Sequence, residues 1–243
     1  SCTGDKAGDG EAIVFDANGN EVGFPVTASV LKSSLNSVVP NLNWVENPSS
    51  SYSSWTEGAA NFYADHWVVI VDGKGLGQAR KIVRYANNSN PEIIISPAWD
   101  VIPDATSKVS ITRAIWNSYM VDNQIDIRGC LKSNANLDNS GYIGWWSPSL
   151  DSTIEGNKQY DSNGIVLGTQ YLKDSIILSY SGEVRNNLVD GEYKYPASYG
   201  GIDLWYGSWY EYPNPVLGND VVVSHNQVRN ADGLRGGGLG VSR

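Results

Sequence analysis

Ser152-Thr153-Ile154-Glu155-Gly156-Asn157, followed by Gly164-Ile165-Val166-Leu167-Gly168, is one copy of a phrase that recurs through the second half of the chain. The phrase is a β-branched or apolar run, a polar turn with Asn or Gly, some variable residues, then Gly-Ile or Gly-Leu opening another apolar run. The upstream copy is Ile125-Asp126-Ile127-Arg128-Gly129 with Gly141-Tyr142-Ile143-Gly144. Downstream come Gly182-Glu183-Val184-Arg185-Asn186-Asn187 with Gly201-Ile202-Asp203-Leu204, and Val221-Val222-Val223-Ser224-His225-Asn226 with Asp232-Gly233-Leu234. With Ile127, Ile154, Val184 and Val223 taken as equivalent, the steps are 154 − 127 = 27, 184 − 154 = 30 and 223 − 184 = 39 residues. Strand phrases at such periods mark a solenoid in which each copy is one coil and insertions collect on its loops. A single coil cannot bury its own apolar face, so the stack is the fold.

Composition supports an all-β reading. Aromatic residues make up 11% of the chain, with 26 Gly and a single Met, and few windows have helical periodicity. The exception is Ala28 to Val39, whose apolar spacing allows one or two helical turns ended by Pro40. A net charge of −9 excludes a phosphate-backbone partner, which needs clustered Lys and Arg. No run of about 18 apolar residues is present, so no membrane span is expected.

Upstream of the coils, Ala12-Ile13-Val14-Phe15 reads as a strand and Asn18-Gly19 as a hairpin turn. Asp5, Asp9, Glu11 and Asp16 offer oxygen ligands of the kind calcium takes, without the spacing of a known calcium loop; a solvated turn needs no ion, and no other cofactor is indicated. Cys2 and Cys130 can pair if the amino-terminal tail lies against the first coil, bringing the Cα atoms within about 7 Å. From Asn41 to Ala60, Trp44, Tyr52 and Trp55 stand among Ser, Asn and Pro, too apolar for a linker.

His66-Trp67-Val68-Val69-Ile70-Val71 reads as a buried strand, Asp72 to Gly75 as a turn, and Gly77-Gln78-Ala79-Arg80-Lys81-Ile82-Val83 as the returning strand. After Glu92-Ile93-Ile94-Ile95 comes Pro97-Ala98-Trp99-Asp100-Val101-Ile102-Pro103-Asp104-Ala105-Thr106-Ser107. Gln78 and Arg80 carry donors suited to backbone carbonyls at an irregular turn, and Pro97 and Pro103 keep the Trp99 segment extended. This Gly-Gln-x-Arg-x-Ile and Pro-x-Trp-x-x-x-Pro-Asp-x-Thr-Ser pairing, placed just before the coils, resembles the entry region of right-handed parallel β-helix proteins of the pectate-lyase-like superfamily. Many of those are polysaccharide-active enzymes or phage tailspike-like proteins. The resemblance, covering Trp67 to Arg243, implies an all-β chain with right-handed parallel β-helix coils over 67–243, and the residues ahead of it, 1–66, read as a β-rich cap with an aromatic and Ser-rich loop. It also implies an extracellular or cell-surface protein that binds and cleaves a polysaccharide in a groove along the coils. The alternative is a non-enzymatic surface, adhesin or assembly solenoid.

The side chains that bear on such chemistry fall into two sets. Trp145 and Trp146 after one Gly-Ile phrase, and Trp205 and Tyr206 after another, are expected at one phase of different coils, with Trp209 and Tyr210 extending the same loop. Flat aromatic faces suit the apolar C–H faces of sugars. For hydrolysis, paired carboxylates are expected from Glu155 with Glu183 and from Asp203 with Asp232, because neighbouring coils supply the required spacing. For elimination, His225 is the expected base, with Arg229 or Arg235 neutralising a uronate. Asn residues at the bends, among them Asn123, Asn157, Asn187 and Asn226, read as a structural ladder. No Gly-x-Ser-x-Gly elbow, phosphate loop or His-Glu-x-x-His is present. The last residues, Gly236 to Arg243, read as the start of a fresh coil, so a second chain or subunit is expected to continue the stack.

Overall fold

The computed structural model describes residues 11–15, 26–41, 64–86, 92–128, 141–145, 149–162, 164–170, 181–191, 201–207, 221–230 and 233–236. Among these, every regular element is a β-strand. They form an antiparallel barrel followed by a stack of parallel coils.

The first strand, β1 (Glu11–Phe15), is set apart from the barrel. The barrel consists of β2 (Val26–Ser34), β3 (Ser37–Pro40), β4 (Trp67–Asp72), β5 (Ala79–Ala86), β6 (Glu92–Ser96) and β7 (Lys108–Thr112), closed in the order β2-β3-β6-β5-β4-β7. The Ala28 to Val39 segment is a β-hairpin rather than a helix. Ala28 and Val30 are buried while Ser29 and Leu31 are exposed, a period of two that only a strand can satisfy against a one-sided core. Bulges at Val30/Lys32, Ile70/Asp72 and Ile82/Arg84 bend the strands to close the sheet. Val30, Val38, Val68, Ile70, Ile82, Ile93, Trp99, Val109 and Ile111 fill the interior.

Closure moves the boundary expected at residues 66 and 67. That division cuts through the barrel, because β4 to β7, expected to lead into coils, pair antiparallel with one another and with β2. The motif seen in the sequence locks the barrel instead. Gln78 Nε2 donates to Gly75 O at 3.0 Å and Val101 O at 2.8 Å, and its Oε1 accepts from the amides of Asp100 and Val101. Arg80 Nε donates to Ala98 O at 2.8 Å, its Nη2 meets Asp100 Oδ2 at 2.7 Å, and the guanidinium lies 5.5 Å from the Trp99 ring. Ser107 Oγ donates to Lys74 O at 2.7 Å. The 97–107 segment has no ladder of its own, and these side chains satisfy the backbone groups that it leaves open.

The coils begin after Arg113. The first contains β8 (Ile115–Trp116), β9 (Tyr119–Val121) and β10 (Gln124–Asp126); the second β11 (Tyr142–Trp145), β12 (Ser149–Leu150), β13 (Thr153–Glu155) and β14 (Lys158–Tyr160). Next come β15 (Ile165–Gln170), β16 (Gly182–Arg185) and β17 (Leu188–Asp190), then β18 (Ile202–Gly207), β19 (Val221–Ser224) and β20 (Gln227–Arg229), and finally β21 (Leu234–Gly236). All pairings in this region are parallel. Sheet I is β1-β11-β15-β18-β21, sheet II is β9-β13-β16-β19, and sheet III is β10-β14-β17-β20; β8 pairs with β12. The chain visits sheets I, II and III in turn. The amino-terminal strand β1 joins sheet I in parallel with β11, and the hairpin turn expected at Asn18-Gly19 lies outside the described residues.

Sheet II meets sheet III at two-residue bends that repeat with one chemistry. The first bend residues, Asp122, Gly156, Asn186 and His225, are left-handed, with φ from 54° to 68°. The second is always Asn: Asn123, Asn157, Asn187 and Asn226. Asn157 Oδ1 accepts from Asn123 N and Nδ2, and Asn157 Nδ2 donates to Met120 O at 2.7 Å. Asn187 Oδ1 serves Asn157 in the same way, and Asn226 Oδ1 serves Asn187, all at 2.9 Å. The layer beneath is Met120, Ile154, Val184 and Val223 in register. The expected equivalence of Ile154, Val184 and Val223 is observed, but the first coil contributes Met120, while Ile127 lies past β10.

Replacing Asn157 by Ala leaves the Asn123 backbone amide without its acceptor at a buried bend, at about 1–3 kcal/mol for the orphaned group, and also removes the side-chain bonds to Asn123 Nδ2, the Met120 carbonyl and Asn187 Oδ1. Asn157→Ala is therefore expected to lower the free energy of urea unfolding by roughly 3 kcal/mol. Asn123→Ala, at the half-buried end of the column, should cost about 1 kcal/mol. Equal losses for the two would contradict the ladder.

Candidate functional site

Outward side chains of sheet II stand in two columns fixed by the register. One holds Tyr119, Thr153, Glu183 and Val222, and the other Val121, Glu155, Arg185 and Ser224. Because Glu155 faces Arg185 rather than Glu183, the two carboxylates expected as an acid–base pair are joined through a cation. Arg185 Nη2 lies 3.0 Å from Glu155 Oε2, and its Nη1 lies 2.7 Å from Glu183 Oε2. Asn186 Nδ2 donates to the other Glu155 oxygen at 3.1 Å. The hydrogen bond from Arg185, and then that from Asn186, hold the Glu155 carboxyl below its ordinary range. A carboxyl so placed stays ionised. It accepts hydrogen bonds and does not serve as a proton donor near neutrality.

The bend continues this polar strip. A Cβ on Gly156 would stand 2.2 Å from Asp122 Oδ1, so the left-handed Gly leaves room for the Asp122 carboxylate beside Glu155. On the other side stand two exposed rings that lie outside the Gly-Ile phrases. Tyr119 is 59% exposed with its hydroxyl donating to Asn117 Oδ1 at 2.6 Å, and Trp116 is 52% exposed. Trp116 rests against Trp67 of β4 with centroids 5.5 Å apart. The signal for Tyr119 was its register with Thr153, which only the Met120 equivalence reveals.

The expected residues are otherwise dispersed. Trp145 lies in the core at 1% exposure, in register with Leu167 and Leu204, and offers no ring face to solvent. This corrects the expected phase by one residue, since the position equivalent to Trp205 is Gly168, one beyond Leu167. Trp205 and Tyr206 lie on β18 and Arg235 on β21, opposite Asp203. Asp203 is buried, 3% exposed, in the column of Gly144 and Val166, away from the solvent-facing strip. His225 is an exposed left-handed bend residue, and Arg229 donates to Gln227 Oε1 on sheet III. Trp146, Trp209, Tyr210, Asp232, Cys2, Cys130, Asp5, Asp9 and Asp16 lie outside the described residues.

No family model and no curated protein matches this chain. Among solved structures, the tailspike protein gp49 from Pseudomonas phage LKA1 is similar over 90% of this chain and 40% of its own, with 9% identity and a TM-score of 0.28. The chain thus spans well under half the length of that tailspike.

Arg185→Met should raise the Glu155 midpoint toward the ordinary 4.5 while Asn186 keeps it slightly below, as read by carboxyl carbon NMR. Because the folded value is depressed, the stabilisation from Glu155 is present above its unfolded value and is lost as pH falls through the folded one. An unchanged midpoint in the variant would remove Arg185 as the cause.

Proposed function

We propose that the chain is a polysaccharide-binding β-solenoid and that the outer strip of sheet II is its glycan contact. The observation that carries this reading is the exposed Tyr119 ring, one strand from Thr153 and two from Glu183, beside the Glu155–Arg185–Glu183 network. Two strand spacings are about 10 Å, a span suited to a disaccharide. An exposed aromatic with charged hydrogen-bonding groups at that distance suits stacking on one sugar ring while the hydroxyls of the next are held. The coils wind right-handedly in this reading, the hand taken by about 98% of parallel crossovers. Its place of action is outside the cell, where such polymers are met.

Glu155 and Glu183 act here as acceptors for sugar hydroxyls rather than as an acid and a nucleophile or base. The charge of the strip selects among glycans. Two glutamates against one arginine, with Asp122 alongside, leave the strip negative on a chain of net charge −9. Uronates are repelled by such a surface and neutral sugars are not.

Calorimetric titration against neutral and uronic oligosaccharides tests the reading. Neutral oligosaccharides should bind, Tyr119→Ala should weaken that binding about tenfold, or about 1.4 kcal/mol, and Val83→Ala on the barrel surface should leave it intact. No binding to any glycan, together with self-association that Tyr119→Ala abolishes, would turn this surface into an assembly contact instead.

A further inference from the structure

The aromatic surface of the first coil extends past Tyr119. Ile115 of β8 is committed to the coil core, whereas Trp116, the next residue, is more than half exposed. Trp67 of β4, itself buried, backs the indole with centroids 5.5 Å apart and the ring planes inclined by 45°. A large ring that the fold braces and still leaves to solvent is apolar area that folding does not use, and such area marks a contact surface.

The bend between Trp116 and Tyr119 is held in one shape. Asn117 is left-handed, with φ of 49°, and its amide donates to Leu150 O of the next coil at 2.9 Å. Ser118 Oγ donates to the Trp116 carbonyl at 3.2 Å. The Tyr119 hydroxyl reaches back over this bend to Asn117 Oδ1, so the phenol is tied to the Trp116 side of the strip. With Oδ1 used in this way, Asn117 Nδ2 is a donor without a partner among the described residues. Three residues of chain span at most about 10 Å, so sugars on the two rings can be neighbours in one oligosaccharide. Two rings with an amide donor between them match what a saccharide presents, apolar C–H faces and hydroxyls.

We propose that Trp116 is a second stacking platform, so that the full ligand of the strip is a neutral oligosaccharide of three or more sugars. One sugar lies on Trp116, the next on Tyr119 and the third over the Glu155–Arg185–Glu183 network, with Asn117 Nδ2 donating to a hydroxyl between the two rings. This inference rests on the glycan reading of the strip and adds the length that the site selects. Because Trp67 already fixes the indole, little freedom is lost when a sugar stacks on it.

The test is calorimetric titration of the full chain with neutral di- and trisaccharides of glucose, galactose and mannose. The trisaccharide of the preferred sugar should bind about tenfold more tightly than its disaccharide. Trp116→Ala should remove that gain and leave disaccharide binding unchanged, Trp116→Phe should keep part of it, and Tyr119→Ala should weaken both ligands. A gain that survives Trp116→Ala, a trisaccharide that binds no better than the disaccharide, or a Trp116→Ala loss equal for the two lengths overturns the second platform while the strip remains a glycan site. No binding of any saccharide overturns the glycan reading and this inference with it. Should Trp116→Ala fail to fold, the Trp116 indole N–H resonance, assigned through Trp116→Phe, decides: it should move with the trisaccharide and stay still with the disaccharide, and the same response to both overturns the platform.

Discussion

The buried asparagine column holds the coils in step, and the rest of the stack depends on it. Asn157, Asn187 and Asn226 each accept at Oδ1 from the N–H and Nδ2 of the Asn one coil earlier and donate from Nδ2 to a backbone carbonyl, as Asn187 does with Asn157 and Ile154. A one-residue slip of any coil would break these bonds and turn Ile154 or Val184 out of the core. The two penalties are comparable, about 1–3 kcal/mol for each orphaned polar group and about 1.5–3 kcal/mol for each exposed aliphatic. Register is thus fixed twice at one corner. The chain can then vary elsewhere, and the step between coils stretches from 30 to 39 residues while the bend keeps its two-residue form.

Legibility in the sequence followed how local each constraint is. The bend Asn and the Gly-Ile phrase were readable because each is a short-range demand: a Cβ on Gly164 would stand 1.9 Å from Gly201 O, so the residue opening that strand has no room to be larger. Met120 was missed because it is not β-branched and because Ile125-Asp126-Ile127 copies the phrase in the wrong place. The phase of Trp145 was missed by one residue, and in a strand that exchanges the core for the surface. Of the barrel strands, β4, β5 and β6 were readable, and so was the work of Gln78 and Arg80 on open carbonyls, whereas the mixed apolar spacing over β2 and β3 read as helical turns. The antiparallel closure was not readable, because β2 must find β7 across some eighty residues, and no local pattern encodes that pairing.

Placement of the strip on sheet II follows from the same economy. The inward residues of β9, β13 and β16 are committed to the core, and the bend residues to the ladder or to left-handed backbone. What remains free to carry chemistry is the pair of outward columns. On β13 and β16 those columns hold charges that satisfy one another, and on β9 an exposed ring. Beyond β9 the aromatic surface continues around the bend at Asn117 to Trp116, which the barrel supports through Trp67. A ring held at a fixed distance from a fixed charge network loses little freedom on meeting a ligand. The barrel therefore contributes to the strip without lining it, since Trp67 of β4 backs Trp116 at the aromatic end of the strip.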